Sequence, residues 1–319
     1  MSAALITRLA PAKLNLSLRV SPPRPDGLHP IDSRFTVTSL HDTLTAEPLN
    51  QAPPGHPASA GWLSPTLHYI RETAPDAPTP IPLDWPLQDD LVTRAHALLE
   101  HLANKPLPSR IHLTKRIPAG TGLGGGSSNA AAALHALSDL HQLTDLLQTL
   151  TPQTIAQHLG ADTAFFHRYQ LDPTNPQHHT AHITGIGDQL NPLTPQQTAK
   201  LPTHAVLIFP PVHANTAAVY RAFDQPHPRI TPPRSPRIPT VGPNDLFPPA
   251  RHLYPDLDRA FTALQHANLA PHLSGSGSTL FLPTYNLPNA NQLQQQAQAA
   301  ANLPTQLVTL TPPHPTRAV

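Results

Sequence analysis

The residues with the clearest capacity for chemistry form one run: Pro118, Ala119, Gly120, Thr121, Gly122, Leu123, Gly124, Gly125, Gly126, Ser127, Ser128 and Asn129. Closely spaced glycines lower the steric barrier to positive φ, so successive backbone N–H groups can turn toward one anion. A helix starting at residues 127–129 adds unpaired N–H groups and the positive end of its dipole. Ser127 and Ser128 can cap that helix, donate to phosphate oxygens or reach a bound magnesium ion. The run therefore reads as a cradle for the phosphates of a nucleotide. A P-loop would need a lysine directly after the glycines, and none follows. Gly120, Gly122 and Gly125 spell a dinucleotide fingerprint by letters, but that motif requires a further strand ending in an acid about 20 residues on. Here the chain is expected to stay helical past Asp139.

The elements that must hold this loop are legible around it. Residues 110–115 read as a strand, with Ile111 and Leu113 on one face, and residues 130–143 as an Ala/Leu-rich helix. A flexible linker would not be bracketed in this way. Upstream, residues 5–10 run into 14–20, where Leu14, Leu16, Leu18 and Val20 alternate with Asn15, Ser17 and Arg19, a strand pattern. Lys13 sits in this apolar alternation, where an ammonium must snorkel or find a partner, and Asn15 shares its face. Residues 24–27 form a turn signal, and 34–40 the next strand, with Phe35 and Val37 on one face. Residues 90–102 read as a helix stopped at Lys105-Pro106. Thr151, Pro152 and Gly160 mark the N-cap, first turn and end of a helix over 152–159, with Asp162 just beyond. Later come a strand over 205–209, a helix over 256–267, a small-residue loop over 274–278, a strand over 279–282 and a helix over 291–301. A proline-studded link suggests a domain boundary at residue 198, giving domains 1–198 and 199–319.

Composition narrows the classes of partner. The 319 residues include only 12% charged side chains and carry a formal net charge of +1, too balanced for a nucleic-acid or membrane-surface partner. Cysteine is absent, which excludes disulfides and thiolate chemistry. The 21 histidines show no ligand spacing such as His-Glu-x-x-His. The 43 prolines cluster in 51–58, 74–86, 226–243 and the C-terminal tail, read as extended surface loops. The N-terminus lacks a basic segment followed by an apolar core, and no stretch approaches the roughly 18 apolar residues of a membrane span. The expectation is a soluble, cytoplasmic protein.

The loop is of the Gly-Leu-Gly-Gly-Gly-Ser-Ser type found in the galactokinase, homoserine kinase, mevalonate kinase and phosphomevalonate kinase (GHMP) superfamily. With it, residues 11–18 (PAKLNLSL), 24–29 (RPDGLH), 159–166 (LGADTAFF) and 274–278 (SGSGS) stand in one order along the chain. Together they resemble the 4-diphosphocytidyl-2-C-methyl-D-erythritol kinase family. The resemblance implies a two-domain α+β GHMP kinase fold, with an N-terminal ribosomal-S5-domain-2-like ATP domain and a C-terminal ferredoxin-like domain. It implies ATP-dependent phosphorylation of the substrate's 2-hydroxyl in the non-mevalonate isoprenoid pathway, with Mg²⁺ expected alongside ATP. Other GHMP kinases of homoserine or mevalonate type, or a nucleotide-binding protein without catalysis, are the alternatives.

Residue by residue, the resemblance gives Asp162 the role of base toward the hydroxyl, a group such transfers benefit from. It gives Lys13 the role of orienting that hydroxyl. Asn15 matches a substrate-contacting asparagine, His29 a histidine that recognises the cytosine ring, and Thr216 and Tyr220 further substrate contacts. Tyr220 would offer the base an aromatic face, with core packing as its alternative. Leu28 stands where the family has Tyr, so one contact to the cytidine is lost or supplied elsewhere. Asn244-Asp-Leu-Phe247 resembles a family segment but lacks its Glu, and no acidic magnesium ligand is assigned.

Overall fold

The computed structural model describes residues 5–49, 62–64, 66–225 and 240–311. The proline-rich stretch 51–58, most of 226–243 and the tail from 312 lie outside the described residues. Two long strands, β1 (Ile6–Val20) and β2 (Ile31–Pro48), pair with each other. After them come β3 (Trp62–Ser64), β4 (Leu67–Thr73), α1 (Leu91–Ala103), β5 (Ser109–Lys115), α2 (Gly125–His141), α3 (Thr144–Gln148), α4 (Pro152–Leu159) and α5 (Ala161–Leu171). The chain continues through β6 (Thr180–Thr184), β7 (Gln189–Pro192), α6 (Pro195–Thr198), β8 (His204–Ile208), α7 (Thr216–Phe223), α8 (Phe247–Leu253) and α9 (Pro255–His266). It closes with β9 (His272–Leu273), β10 (Leu280–Thr284), α10 (Leu287–Ala301) and β11 (Thr305–Thr309).

These elements form two compact units that interleave along the chain. The first holds Met1–Ala12, Leu40–Ile117 and Gly124–Pro173; the second holds Lys13–Ser39, Pro118–Leu123 and Thr174–Val319. β1, β2 and the glycine loop each contribute residues to both units.

In the first unit, the later half of β2 pairs antiparallel with β5, Thr43 opposite Thr114, and β5 pairs in parallel with β4. Helix α2 packs against α1 and α5. Residues 130–134 of α2, with Ala136 and Leu137, are all buried. A helix apolar on every side must lie inside a core, and its alanines let neighbouring backbones approach. Asp90 caps α1 by accepting from Val92 N, and Asn104 ends it in the left-handed region at φ 48°. The proline-rich residues 74–86 are anchored rather than merely exposed. The Arg71 guanidinium lies 4.3 Å from the Trp85 ring centroid, and both donate to Asp90 Oδ2 at 3.0 Å.

In the second unit, the first half of β2 pairs with β6, Ser33 opposite Ile183, and β6 with β7. A four-stranded antiparallel sheet runs β11-β8-β10-β9. Its core joins Val206, Ile208 and Leu280 of the sheet to Val219, Leu257 and Phe261 of the helices. The α4 reading, in the first unit, holds in detail: Thr151 accepts from Thr154 N, and Gly160 follows at φ 95°. Other expectations shift. Residues 34–40 are part of a much longer strand, α2 begins at Gly125 rather than at 127–129, and Asp162 lies inside a separate helix, α5, that periodicity did not reveal.

Candidate active site

The glycine loop divides between the units, with Pro118, Ala119, Gly120, Thr121, Gly122 and Leu123 in the second and Gly124, Gly125, Gly126, Ser127 and Ser128 in the first. Gly124 is the N-cap of α2 at φ 71°, and no side chain caps that helix. Ser128 N donates to Gly124 O, so the N–H groups of Gly125, Gly126 and Ser127 precede the helical ladder. Ser128 Oγ is buried with no hydrogen-bond partner among the described residues. An uncapped helix start beside an orphaned hydroxyl is chemistry suited to an anion with several acceptor oxygens.

The second-unit half of the loop is packed against a second small-residue loop. Ser274 Oγ donates to Gly122 O at 3.0 Å, and Thr279 N donates to Thr121 O at 3.1 Å. A Cβ at Gly122 would lie 2.1 Å from Ser274 O, so only glycine, at φ 75°, fits there. Asn244 Nδ2 fixes the second loop by donating to Leu273 O at 2.9 Å and Gly275 O at 2.7 Å.

Lys13 and Asn15 of β1 join this cluster. Lys13 N donates to Leu123 O at 2.9 Å, and Asn15 N donates to Ser274 Oγ at 3.3 Å. The Lys13 ammonium donates to Asn15 Oδ1 at 2.5 Å and lies 4.7 Å from the Phe35 ring centroid. Asn15 Nδ2 donates to Ser33 Oγ at 2.9 Å, and Ser33 Oγ donates to Ser17 O at 2.5 Å. The lysine that alternation left in an apolar strand is thus solvated by an ordered polar chain and an aromatic face. A Cβ at Gly275 would stand 3.4 Å from Lys13 Nζ, which places the second loop against the ammonium.

Thr216 begins α7, which Asn215 caps by accepting from Ala218 N, and Thr216 Oγ1 lies 2.9 Å from Ser276 Oγ. His29 is held more tightly than its loop position suggests. Its ring lies 5.1 Å from Tyr220 and 5.9 Å, edge-on, from Phe223. Its Nδ1 is 2.9 Å from Ser21 O, and its Nε2 is 3.3 Å from Asp224 Oδ2. Leu28 beside it is exposed. The second unit therefore gathers Lys13, Asn15 and Thr216 about the paired loops, and His29 with Tyr220.

Asp162 belongs to the first unit, in the opening turn of α5, where the helix dipole favours a carboxylate. Sequence reasoning missed Ser33, Phe223, Asp224, Asp42 and Lys115, none of which stands in a motif. Asn129 closes the glycine run and Asn244 stands in the Asn-Asp-Leu segment, but neither was given the partners the fold supplies. Among the described residues no group of three His or acidic side chains is placed to hold a metal ion.

Residues 90–167 match the GHMP kinases N terminal domain. The 4-diphosphocytidyl-2-C-methyl-D-erythritol kinase of Ralstonia pickettii is 34% identical over 298 residues, covering 90% of this chain and 88% of that protein. The chain belongs to the 4-diphosphocytidyl-2-C-methyl-D-erythritol kinase family. The family's member in Salinibacter ruber is 33% identical over 288 residues, covering 85% of this chain and 87% of its own length. A crystal structure of 4-(cytidine 5'-diphospho)-2C-methyl-D-erythritol kinase superposes with a TM-score of 0.66 at 30% identity, covering 96% of this chain and 99% of that one. The homoserine kinase of Cytophaga hutchinsonii shares the fold, with a TM-score of 0.57 at 15% identity over 96% of this chain and 94% of that one. As expected for this family, the chain is a small-molecule kinase with the α+β GHMP fold, and family membership implies ATP as co-substrate. No helix among the described residues is long and apolar enough to cross a membrane.

Proposed function

We propose that this chain transfers the terminal phosphoryl group of ATP to the 2-hydroxyl of 4-diphosphocytidyl-2-C-methyl-D-erythritol. Family membership across nine-tenths of the chain supports the substrate. The observation that carries the chemistry is the loop from Pro118 to Ser128, which ends in an uncapped helix N-terminus. Phosphoryl transfer asks a protein mainly for positioning and for stabilisation of charge on the transferred group. Backbone N–H groups of the loop supply the charge stabilisation.

In this reading the Asp162 carboxylate accepts the proton of the 2-hydroxyl as its oxygen bonds to phosphorus and the bond to the ADP oxygen breaks. Lys13, fixed by Asn15, orients the same hydroxyl. His29 and Tyr220 take the cytosine, Asn15 and Thr216 the rest of the substrate. The magnesium that accompanies ATP would draw most ligands from phosphate oxygens and water, with Ser127 and Ser128 as the hydroxyls the loop offers. The division at residue 198 into an ATP domain and a substrate domain, a soluble cytoplasmic setting and the absence of nucleic-acid partners belong to the same proposal.

The test is an ADP-release assay with the cytidine-linked substrate, mevalonate and homoserine in parallel, on wild type and Asp162→Asn. Turnover stimulated by the cytidine substrate alone, and lost in the variant, is expected. Stimulation by mevalonate or homoserine instead would overturn the substrate, and an active variant would remove Asp162 from its role.

A further inference from the structure

The first unit contains a buried carboxylate, Asp42, that the reaction does not use. Its residue is fully buried in β2, and each of its oxygens is engaged twice. Oδ1 accepts from Arg116 N at 2.6 Å and Ile117 N at 2.8 Å. Oδ2 accepts from Lys115 Nζ at 2.5 Å and Asn129 Nδ2 at 2.9 Å. Lys115 Nζ also donates to Asn129 Oδ1 at 2.9 Å, closing a three-membered ring of side chains. Lys115, Arg116 and Ile117 are the last residues before the glycine loop. Asn129 stands one turn into α2, directly after it, and Gly125, the first residue of α2, sits against the end of the entering strand. A Cβ at Gly125 would lie 2.9 Å from Ile117 and 3.4 Å from Lys115 Nζ.

We propose that Asp42 is a positioning residue for nucleotide binding: it clamps the strand that enters the glycine loop to the helix that leaves it. The inference rests on the proposed role of that loop as the ATP cradle. The chemistry fits a clamp better than a simple core contact. A buried ion pair is a poor route to stability, because desolvating both charges offsets most of their attraction. It is a good route to fixed geometry, because charge-assisted bonds are short and directional. Here the carboxylate grips two backbone N–H groups on one side and two side chains on the other, so the separation of the loop's ends has little freedom. Loop N–H groups converge on phosphate only if that separation is right.

The variant is Asp42→Asn, whose amide presents a donor to Lys115 and Asn129 where the carboxylate accepted from both. Calorimetric titrations would measure the affinity for a non-hydrolysable ATP analogue and, separately, for the cytidine substrate, below the variant's melting temperature. The expected result is nucleotide affinity weaker by about tenfold or more, with cytidine-substrate affinity within about twofold of wild type. Unchanged nucleotide affinity, or equal weakening of both ligands, would overturn the clamp. If Asp42→Asn does not fold, Asp42→Asn/Lys115→Met removes both charges from the core and is held to the same thresholds. A wild-type protein that binds neither ligand would instead bring down the kinase reading, and the clamp's function with it.

Discussion

Lys13 Nζ donates to Asn15 Oδ1 across one repeat of β1, and both residues are inside the protein, 3% and 4% exposed. The amide is itself held by Ser33, so the ammonium has a fixed direction. Replacing Asn15 with Leu should lower kcat by about tenfold to a hundredfold while KM for ATP changes little, because the lysine is misdirected rather than removed. Lys13→Met should cost more, about a hundredfold or beyond. Steady-state kinetics with both substrates decide the matter, and wild-type kcat in Lys13→Met would contradict the assignment.

Gly122 stands so close to Ser274 that an added methyl group has no place to go. Gly122→Ala combines that overlap with a positive φ and should destabilise the protein by about 2 kcal/mol or more. Thermal unfolding measures the loss. ATP KM should rise in the same variant, since the displaced loop is the proposed carrier of the phosphate-binding N–H groups.

His29 is packed by Tyr220 and Phe223, with acceptors near both ring nitrogens. Tyr220→Ala and His29→Ala should each raise KM for the cytidine substrate, by about 1–3 kcal/mol where a stacking face is lost, and leave KM for ATP nearly unchanged. An effect confined to ATP would place the cytidine elsewhere.

Two buried histidines of the first unit, His135 in α2 and His167 in α5, share a hydrogen bond, with His135 Nε2 3.1 Å from His167 Nδ1. Burial pushes His167 down to about 4, and burial together with the neighbouring ring pushes His135 lower still, from an ordinary value of 6.5. Both are neutral in the fold and would take up protons on unfolding below about pH 6.5, so the unfolded chain binds more protons there. Their contribution is complete above that pH and is lost as pH falls toward 4, by about 1 kcal/mol per pH unit for each ring. His272, partly buried beside Phe281 and also lowered to about 4 by desolvation, adds a loss of the same sign in the second unit. Melting temperatures between pH 7 and 5 should therefore fall more steeply for wild type than for His167→Asn. Parallel slopes would show that this ring does not titrate on unfolding.

What could be read from the residues in order was whatever is local. Alternation exposed β1, the Thr151-Pro152 and Gly160 pair bounded α4, and the glycine run suggested a phosphate cradle because such chemistry lies in consecutive backbone groups. The family motifs added Lys13, Asn15, His29 and Asp162 as positions. Helix α5 escaped because it is buried on nearly every side and so shows no amphipathic period. Tertiary structure alone decided what satisfies each buried polar group. Asn15 and Ser33 face Lys13, Asp42 reaches across from β2 to Lys115 and Asn129, and Asp224 meets His29, pairs separated by up to 195 residues in the last case. A desolvated charge must find its partner wherever the folded backbone brings one, and no spacing along the chain records where that is.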